Sequence, residues 1–115
     1  MQKKSAVRLV VAALAVNATL AAAPAFAGSV GGTVAYITAR PNLTYFAING
    51  SNVNRPACAS GTTYYMIKDE NSTSGKQQIA LLMLAKATGR PVWVEGAGQC
   101  TKWSDGEDAF NVALQ

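Results

Sequence analysis

The sequence predicts a small, mainly β fold in which five strands form a barrel and a single helix closes one end. Five segments rich in β-forming residues are separated by turn and loop signals, and the one helical segment lies between the third and fourth of them. Three strands, one helix and two strands is the element order of an OB-fold, a five-stranded Greek-key barrel. An α+β sandwich is the alternative that this order leaves open.

The strands are recognised by alternating hydrophobicity and by the breaks between them. An Arg-Pro-Asn turn signal separates the first two strands, which we expect to form a hairpin. A loop rich in Gly, Ser, Asn and Pro follows at 50–61. The predicted strands are 33–39, 43–49, 62–68, 92–95 and 109–114.

The helix is predicted to begin near Lys76 and to end at Gly89, which can adopt the left-handed conformation before Pro91 prevents continuation. Three residues can cap its N-terminus, namely Ser72, Thr73 and Ser74.

Apolar residues surround most of this helix. At 100° per residue we expect one face to cover the barrel core, and it holds Ile79, Leu82, Met83 and the stem of Lys86. The opposite face is also apolar and is predicted to contact a neighbouring subunit through Leu81, Leu84 and Ala85. Alternatively, the loop at 50–61 folds over it.

The first 27 residues have the features of a signal peptide. A basic start with Lys3, Lys4 and Arg8 precedes an apolar stretch at 9–20, and small residues at 25 and 27 match a signal-peptidase site. We expect cleavage after Ala27, a single domain at 28–115, and a periplasmic or secreted bacterial protein. An uncleaved anchor is the alternative, but the apolar run is shorter than the ~20 residues of a membrane span, so no span is expected after cleavage.

Charge and cysteine content follow from this division. Cleavage removes three of ten basic residues and no acidic one, so the formal net charge falls from +4 to +1, and the remaining basic residues are scattered, which argues against nucleic acid as a partner. In an exported chain, Cys58 and Cys100 are expected to form a disulfide that constrains the unfolded chain by about 4 kcal/mol. Two free thiols or an intermolecular bridge remain alternatives.

The sequence contains no histidine, which excludes Ser-His and Cys-His nucleophiles and most zinc sites. The remaining candidates for catalysis or metal binding are carboxylates. They occur as the pair Asp69 and Glu70 and as the cluster Asp105, Glu107 and Asp108. We expect the cluster to be a solvated turn before the last strand, because it matches neither a calcium loop nor a glycosidase pair. A small hydrolase using Asp105 and Asp108 is a minor alternative. No catalytic residue, metal or cofactor is predicted.

Trp103 is the strongest candidate for binding. Lys102, Ser104 and Asp105 surround it with donors and acceptors, as stacking on a sugar ring requires, and OB barrels commonly bind oligosaccharides. The alternative is that Trp103 packs over the disulfide. The strand residues Trp93, Tyr36, Tyr64 and Tyr65 are predicted to lie in the core or on the barrel surface.

Four segments, "TYFAING", "PAC", "LAKATGRPVWV" and "AFNVAL", resemble in order and spacing the B subunits of subtilase-cytotoxin-like and pertussis-like bacterial AB toxins, over 32–114. The resemblance implies an OB-fold, a ring of five B subunits with helices around its pore, an A subunit as partner, and recognition of cell-surface glycans, often sialylated. Asn52 matches a polar pocket position of that family in type. Gly31 and Gly96 stand where glycan-binding members carry Ser and Tyr.

The sequence therefore predicts an exported, non-catalytic module that binds a cell-surface glycan or glycoprotein and assembles as a homopentamer. A periplasmic protein-interaction or inhibitor-like module is the alternative. The predicted glycan-binding residues are Trp103, Lys102, Asp105, Asn52 and Tyr36.

Overall fold

The structure, a computed structural model, describes residues 27–115. All of the predicted signal peptide except Ala27 lies outside the described residues. The strands are β1 (Ser29–Arg40), β2 (Leu43–Asn49), β3 (Tyr64–Met66), β4 (Val92–Gly96) and β5 (Glu107–Leu114), with one α-helix, α1 (Thr73–Thr88), and a 3₁₀ turn at Ala57–Ala59. Within residues 27–115, no helix is long and apolar enough to cross a membrane.

The five strands close into a barrel in the order β1-β2-β3-β5-β4, and β1 returns to pair with β4. All neighbours are antiparallel except β3 and β5, which are parallel. This confirms the predicted OB-like barrel over the sandwich. The hairpin of β1 and β2 is also confirmed, with Pro41 and Asn42 as its two-residue turn and Arg40 paired with Leu43.

The first strand is longer than predicted because it bends and serves two neighbours. Its N-terminal part, Ser29 to Gly32, pairs with β4, and its later part pairs with β2. At the bend Gly32 has φ +150°, and a Cβ there would lie 2.0 Å from the carbonyl oxygen of Asn49. Only glycine fits this corner.

The other boundaries differ from the predictions where tertiary contacts decide. The third strand covers 64–66 rather than 62–68; Thr62 lies outside it, and its hydroxyl donates to the carbonyl of Asp105 at 2.6 Å. The last strand begins at Glu107 rather than Ala109, since Glu107 already pairs with Tyr65 of β3.

The helix lies against the barrel core, as predicted, but in a different rotation. Leu82 and Ala85 are fully buried in the core cluster, with Ile79 and Leu81 packed partly against it. Met83 is 59% exposed and Leu84 50% exposed. The predicted core position of Met83 and the predicted interface position of Ala85 are therefore wrong, because the buried face is centred nearer Ala85, whereas Leu81 is only partly buried.

What remains exposed is a smaller apolar stripe on the outer side of α1, made of Ala80, Met83, Leu84 and Ala87. No loop in residues 27–115 covers it, so the alternative in which 50–61 folds over the helix is not what the structure shows. Leu84 keeps its predicted exposure, and assembly into a ring stays a prediction.

The two ends of α1 are capped. Ser72 has extended backbone angles, and its hydroxyl accepts a hydrogen bond from the N–H of Gly75 at 2.9 Å. Gly89 is left-handed, with φ 70°. Of the three predicted caps, Ser72 is the one used.

Replacing Ser72 with alanine is expected to lower the free energy of unfolding by about 1 kcal/mol, because the N–H of Gly75 loses its acceptor. Chemical denaturation followed by circular dichroism measures the change. Ser74→Ala is the matched control, since Ser74 lies exposed inside the helix and should leave stability nearly unchanged. Equal losses in the two variants would contradict the assigned cap.

The predicted disulfide is present between Cys58 and Cys100, whose Cα atoms are 6.3 Å apart. Cys58 lies in the 3₁₀ turn between β2 and β3, and Cys100 lies between β4 and β5. The bond therefore ties together two loops that are distant in sequence.

Candidate functional site

The loop between β4 and β5, residues 97–106, is anchored from below by a buried carboxylate. Asp108, 1% exposed, accepts hydrogen bonds from the N–H and hydroxyl of Thr101 and, at 3.2 Å, from the N–H of Lys102. Its own N–H donates to the carbonyl of Gln99 at 2.8 Å. With the disulfide at Cys100, these bonds hold the loop against the barrel.

The far end of the same loop is held by β3. The hydroxyl of Tyr64 donates to the carboxylate of Asp105, and Thr62 donates to the Asp105 carbonyl. Burial, followed by this bond to the Asp105 carboxylate, raises the pKa of Tyr64 to about 12. The phenol therefore stays protonated and remains a donor at neutral pH.

Trp103 stands at the tip of this anchored loop and is 46% exposed. It forms one wall of a pocket of about 140 Å³, which we call the aromatic pocket. The lining residues are Arg40, Leu43, Tyr45, Tyr64, Met66 and Trp103.

Strand register places the pocket residues on one face of the barrel. Tyr45 pairs with Met66, so their side chains point to the same side of the sheet, where Tyr45 is partly exposed and Met66 is covered, at 1% exposure. The next pair, Phe46 and Tyr65, points inward and stacks with ring centroids 5.9 Å apart. Alternation along β2 and β3 thus divides their aromatic residues between core and outer surface.

On the outer surface the tyrosines form a continuous row. Tyr36 meets Tyr45 edge-on with centroids 6.3 Å apart, and Tyr45 meets Tyr64 with centroids 5.6 Å apart. These spacings lie in the range of favourable aromatic pairs. The row leads from β1 to the aromatic pocket.

One cation borders the pocket. Arg40 is exposed at the end of β1, just before the hairpin turn, and forms no ion pair within residues 27–115. Its guanidinium is therefore free to offer its planar set of donors to a ligand.

The location is the one that OB-folds use for ligands. The aromatic pocket lies on the face of β2 and β3, between the β1–β2 turn that follows Arg40 and the β4–β5 loop that carries Trp103. OB barrels bind oligosaccharides and oligonucleotides on this face and between these two loops.

The predicted glycan-binding residues divide into those that reach this site and those that do not. Trp103 lines it, Tyr36 adjoins it through Tyr45, and Asp105 contributes indirectly by holding Tyr64. Asn52 follows the opposite end of β2, whose last residue, Asn49, lies six residues or roughly 20 Å along the strand from Leu43. Its prediction as a member of the same site is wrong.

Lys102 is used elsewhere. Its Nζ donates to Glu70 at 3.0 Å, and Glu70 also accepts from the N–H of Thr44 at 2.8 Å. Burial tends to raise the pKa of Glu70, but the bonds from Lys102 and Thr44 outweigh it and lower that pKa. Lys102 does not line the aromatic pocket, and its ammonium is paired with Glu70, so the structure does not bring it to the site with Trp103.

The prediction that the carboxylate cluster is a solvated turn is wrong for Glu107 and Asp108, which are buried at 0% and 1% exposure, whereas Asp105 is partly exposed. Both carboxylates accept backbone N–H bonds from neighbouring loops. The carboxylate oxygens of Asp108 are thus committed to Thr101 and Lys102, which does not favour the hydrolase alternative.

The presence of glycine at position 96 is explained by packing inside the barrel and not by ligand binding. A Cβ on Gly96 would lie 1.9 Å from the carboxylate of Glu107, so the space that a side chain would take is filled from inside the barrel. At Gly31 a Cβ would meet the Trp93 ring at 3.0 Å. Neither position offers a side chain to a glycan.

A second, wider cleft of about 430 Å³ lies between the start of α1 and β5, bordered by Lys68, Asp69 and Phe110. Phe110 is the one aromatic residue among the described residues that line it. The aromatic pocket is the better candidate despite its smaller volume, because stacking depends on flat rings and directed donors rather than on open space.

As members of the site, sequence reasoning missed Arg40, Leu43, Tyr45, Tyr64 and Met66. The alternation in Leu-Thr-Tyr-Phe-Ala was a usable signal, because it puts Leu43 and Tyr45 on one face and Thr44 and Phe46 on the other. Only the closure of the barrel, however, brings Trp103 to that face.

Comparison of the chain with protein-family models, with curated proteins and with solved structures finds no significant match. Within residues 27–115, no group of three or more side chains is placed to hold a metal ion.

Proposed function

We propose that the protein is a non-catalytic glycan-binding module and that the aromatic pocket is its binding site. The observation that supports this most directly is the exposed Trp103 on a doubly anchored loop, facing a row of tyrosines across the OB ligand face. Such rigid aromatic surfaces bind with little loss of side-chain entropy.

The chemistry of the pocket suits one ring of a larger ligand. Its volume of about 140 Å³ is below that of pockets for drug-sized ligands, about 300 to 1,000 Å³. Trp103 and Tyr45 offer flat apolar faces to the C–H face of a pyranose. The rest of an oligosaccharide would continue over the tyrosine row toward Tyr36.

Arg40 favours a sugar with an acidic group. A guanidinium without an ion-pair partner can bind a carboxylate through two parallel N–H bonds. The toxin B-subunit resemblance points to the same class, since those proteins recognise cell-surface glycans that are often sialylated. We therefore propose an acidic, cell-surface glycan as the ligand of an exported protein.

A glycan array probed with protein comprising residues 28–115, with its disulfide formed, tests the proposal. We expect signals on acidic oligosaccharides, with dissociation constants below about 1 mM in solution, or about −4 kcal/mol. Absence of any sugar bound better than millimolar would favour the alternative, a protein-interaction or inhibitor-like module.

Trp103→Ala is expected to weaken binding to an array-selected glycan at least about tenfold, or 1.4 kcal/mol, because the central aromatic contact is lost. Isothermal titration calorimetry measures the change. Trp93→Ala is the matched control, since Trp93 is a comparably exposed tryptophan on β4 outside the pocket. Equal losses, or a loss only in Trp93→Ala, would place the site elsewhere.

A further inference from the structure

The described chain passes from the surface to the interior at the peptide bond between Ala27 and Gly28. Ala27 is exposed, whereas Gly28 is buried. The carbonyl of Gly28 accepts from the N–H of Gly96 at 2.7 Å, and its nitrogen donates to Oε2 of Glu107 at 2.9 Å. The backbone N–H of Gly28 therefore forms a hydrogen bond with a carboxylate that is fully buried.

The contact is shaped for a glycine. A Cβ on Gly28 would lie 2.4 Å from Oε1 of Glu107 and 3.1 Å from the hydroxyl of Tyr65. Any larger residue at this position would have to displace a buried carboxylate.

Two buried oxygen atoms around Gly28 have no hydrogen-bond partner. Oε1 of Glu107 and the hydroxyl oxygen of Tyr65 have no hydrogen bond, although both lie beside Gly28. Arg55 supplies little to them, because its Nε is 3.9 Å from Oε1 and its terminal nitrogens donate to the carbonyls of Thr62 and Tyr64 at 2.5 Å. Unpaired buried polar atoms are costly.

We propose that Gly28 is the first residue of the mature protein and that its α-ammonium is an ionic partner of Glu107 inside the barrel. Hydrolysis of the Ala27–Gly28 bond by the signal peptidase of the producing cell consumes one water and leaves a carboxylate on Ala27 and an ammonium on Gly28. An amide N–H offers one donor, whereas an ammonium offers three. The additional donors can serve Oε1 of Glu107 and the hydroxyl of Tyr65.

Processing thus has a structural effect besides removing the targeting segment. Before cleavage, the charge of Glu107 faces a single amide N–H from residue 28. After cleavage it faces a cation at the same place, and charge-assisted hydrogen bonds are about twice as strong as neutral ones. The barrel seam between β1, β4 and β5 becomes more stable once the leader is removed.

The pairing has a defined pH dependence. The groups that face the ammonium are Glu107 from β5, Tyr65 from β3 and Arg55 from the β2–β3 loop; burial raises the pKa of Tyr65 to about 12, so it stays neutral. Pairing with Glu107 is expected to raise the pKa of the α-amino group above its ordinary value of about 8. The added stability is then present below that ordinary value and is lost as pH rises through the raised pKa.

The test compares two forms of the chain, released from cleavable fusions and oxidised, that begin at Gly28 or at Ala27. The second form also carries an α-ammonium, but one residue farther out. We expect the Gly28 form to melt higher near pH 7 by about 5 °C, with the difference disappearing toward pH 10 or so. In addition, the exported full-length chain should have the mass of a protein beginning at Gly28.

The control is Glu107→Gln in both forms, which should abolish the difference between them. If that variant does not fold, NMR titration of the Gly28 α-amino group in the wild-type Gly28 form replaces it, with a pKa above the ordinary value expected. Equal melting temperatures of the two wild-type forms at neutral pH, an unshifted α-amino pKa, or export of a chain beginning elsewhere would each overturn the proposal.

Discussion

Replacing both Cys58 and Cys100 with serine is expected to lower the free energy of unfolding by about 4 kcal/mol at 25 °C, because the disulfide closes a loop with a sequence separation of 42 in the unfolded chain. For a domain of this size that is a large share of its total stability. Urea denaturation of the oxidised wild type and the double variant measures the loss. We also expect weaker glycan binding, since Cys100 helps to hold the loop of Trp103.

Reduced wild-type protein is the control for this variant. Cys58 is exposed, so a reducing agent can reach the bond under native conditions. The reduced protein should match the double serine variant in stability. A double variant as stable as the oxidised wild type would contradict the assigned role of the disulfide.

Asp108→Asn is expected to destabilise the protein by about 3 kcal/mol, because hydrogen bonds to a buried charged group contribute about 1.5 to 3 kcal/mol each. The substitution preserves shape but puts an NH₂ group against the donors of Thr101 or Lys102. Thermal and chemical denaturation measure the stability, and titration with the glycan measures the pocket. We expect both to be impaired, since the anchored loop carries Trp103.

Asp69→Asn is the matched control. Asp69 is an exposed loop residue, and its carboxylate accepts from the N–H of Asn71 at 2.9 Å. Its replacement should change stability by less than about 0.5 kcal/mol. If Asp108→Asn were as mild as this control, the β4–β5 loop would not depend on the buried carboxylate.

Local signals were sufficient for the order of the elements. The alternation in β2 and the left-handed Gly89 are properties of short segments and are present where the sequence predicts them, whereas the helix begins at Thr73 rather than near Lys76 and uses Ser72, one of three possible caps. The rotation of α1 was harder to predict, because apolar residues nearly surround the helix and no single face stands out. Only contact with β1 and β5 selects Leu82 and Ala85 as the buried pair.

The buried carboxylates could not be predicted from the sequence. Ser-Asp-Gly-Glu-Asp has the composition of an exposed turn, and Asp and Glu are rarely buried without partners. The partners of Glu107 are the N–H groups of Gly28 and Gly98, 79 and 9 residues away in sequence. Barrel closure brings them together, and no local pattern indicates this.

The candidate site could be predicted only in part, again because barrel closure brings together residues that are distant in sequence. The loop signal identified Trp103, but its polar neighbours in sequence proved to be structural: Lys102 pairs with Glu70, and Asp105 holds Tyr64. The other pocket residues include Arg40 and Tyr45, which belong to the β1–β2 hairpin. Proximity in the chain is a weak guide to which side chains face a ligand.

NMR of the two tryptophan indole N–H groups tests the glycan site most directly. The sequence has only Trp93 and Trp103, so the spectrum contains two such signals, one inside the proposed site and one outside it. During titration with an acidic oligosaccharide selected on the array, we expect the Trp103 signal to shift to saturation while that of Trp93 stays in place. A saturating shift at Trp93 alone, or bound glycan with neither signal moving, would contradict the assignment of the aromatic pocket.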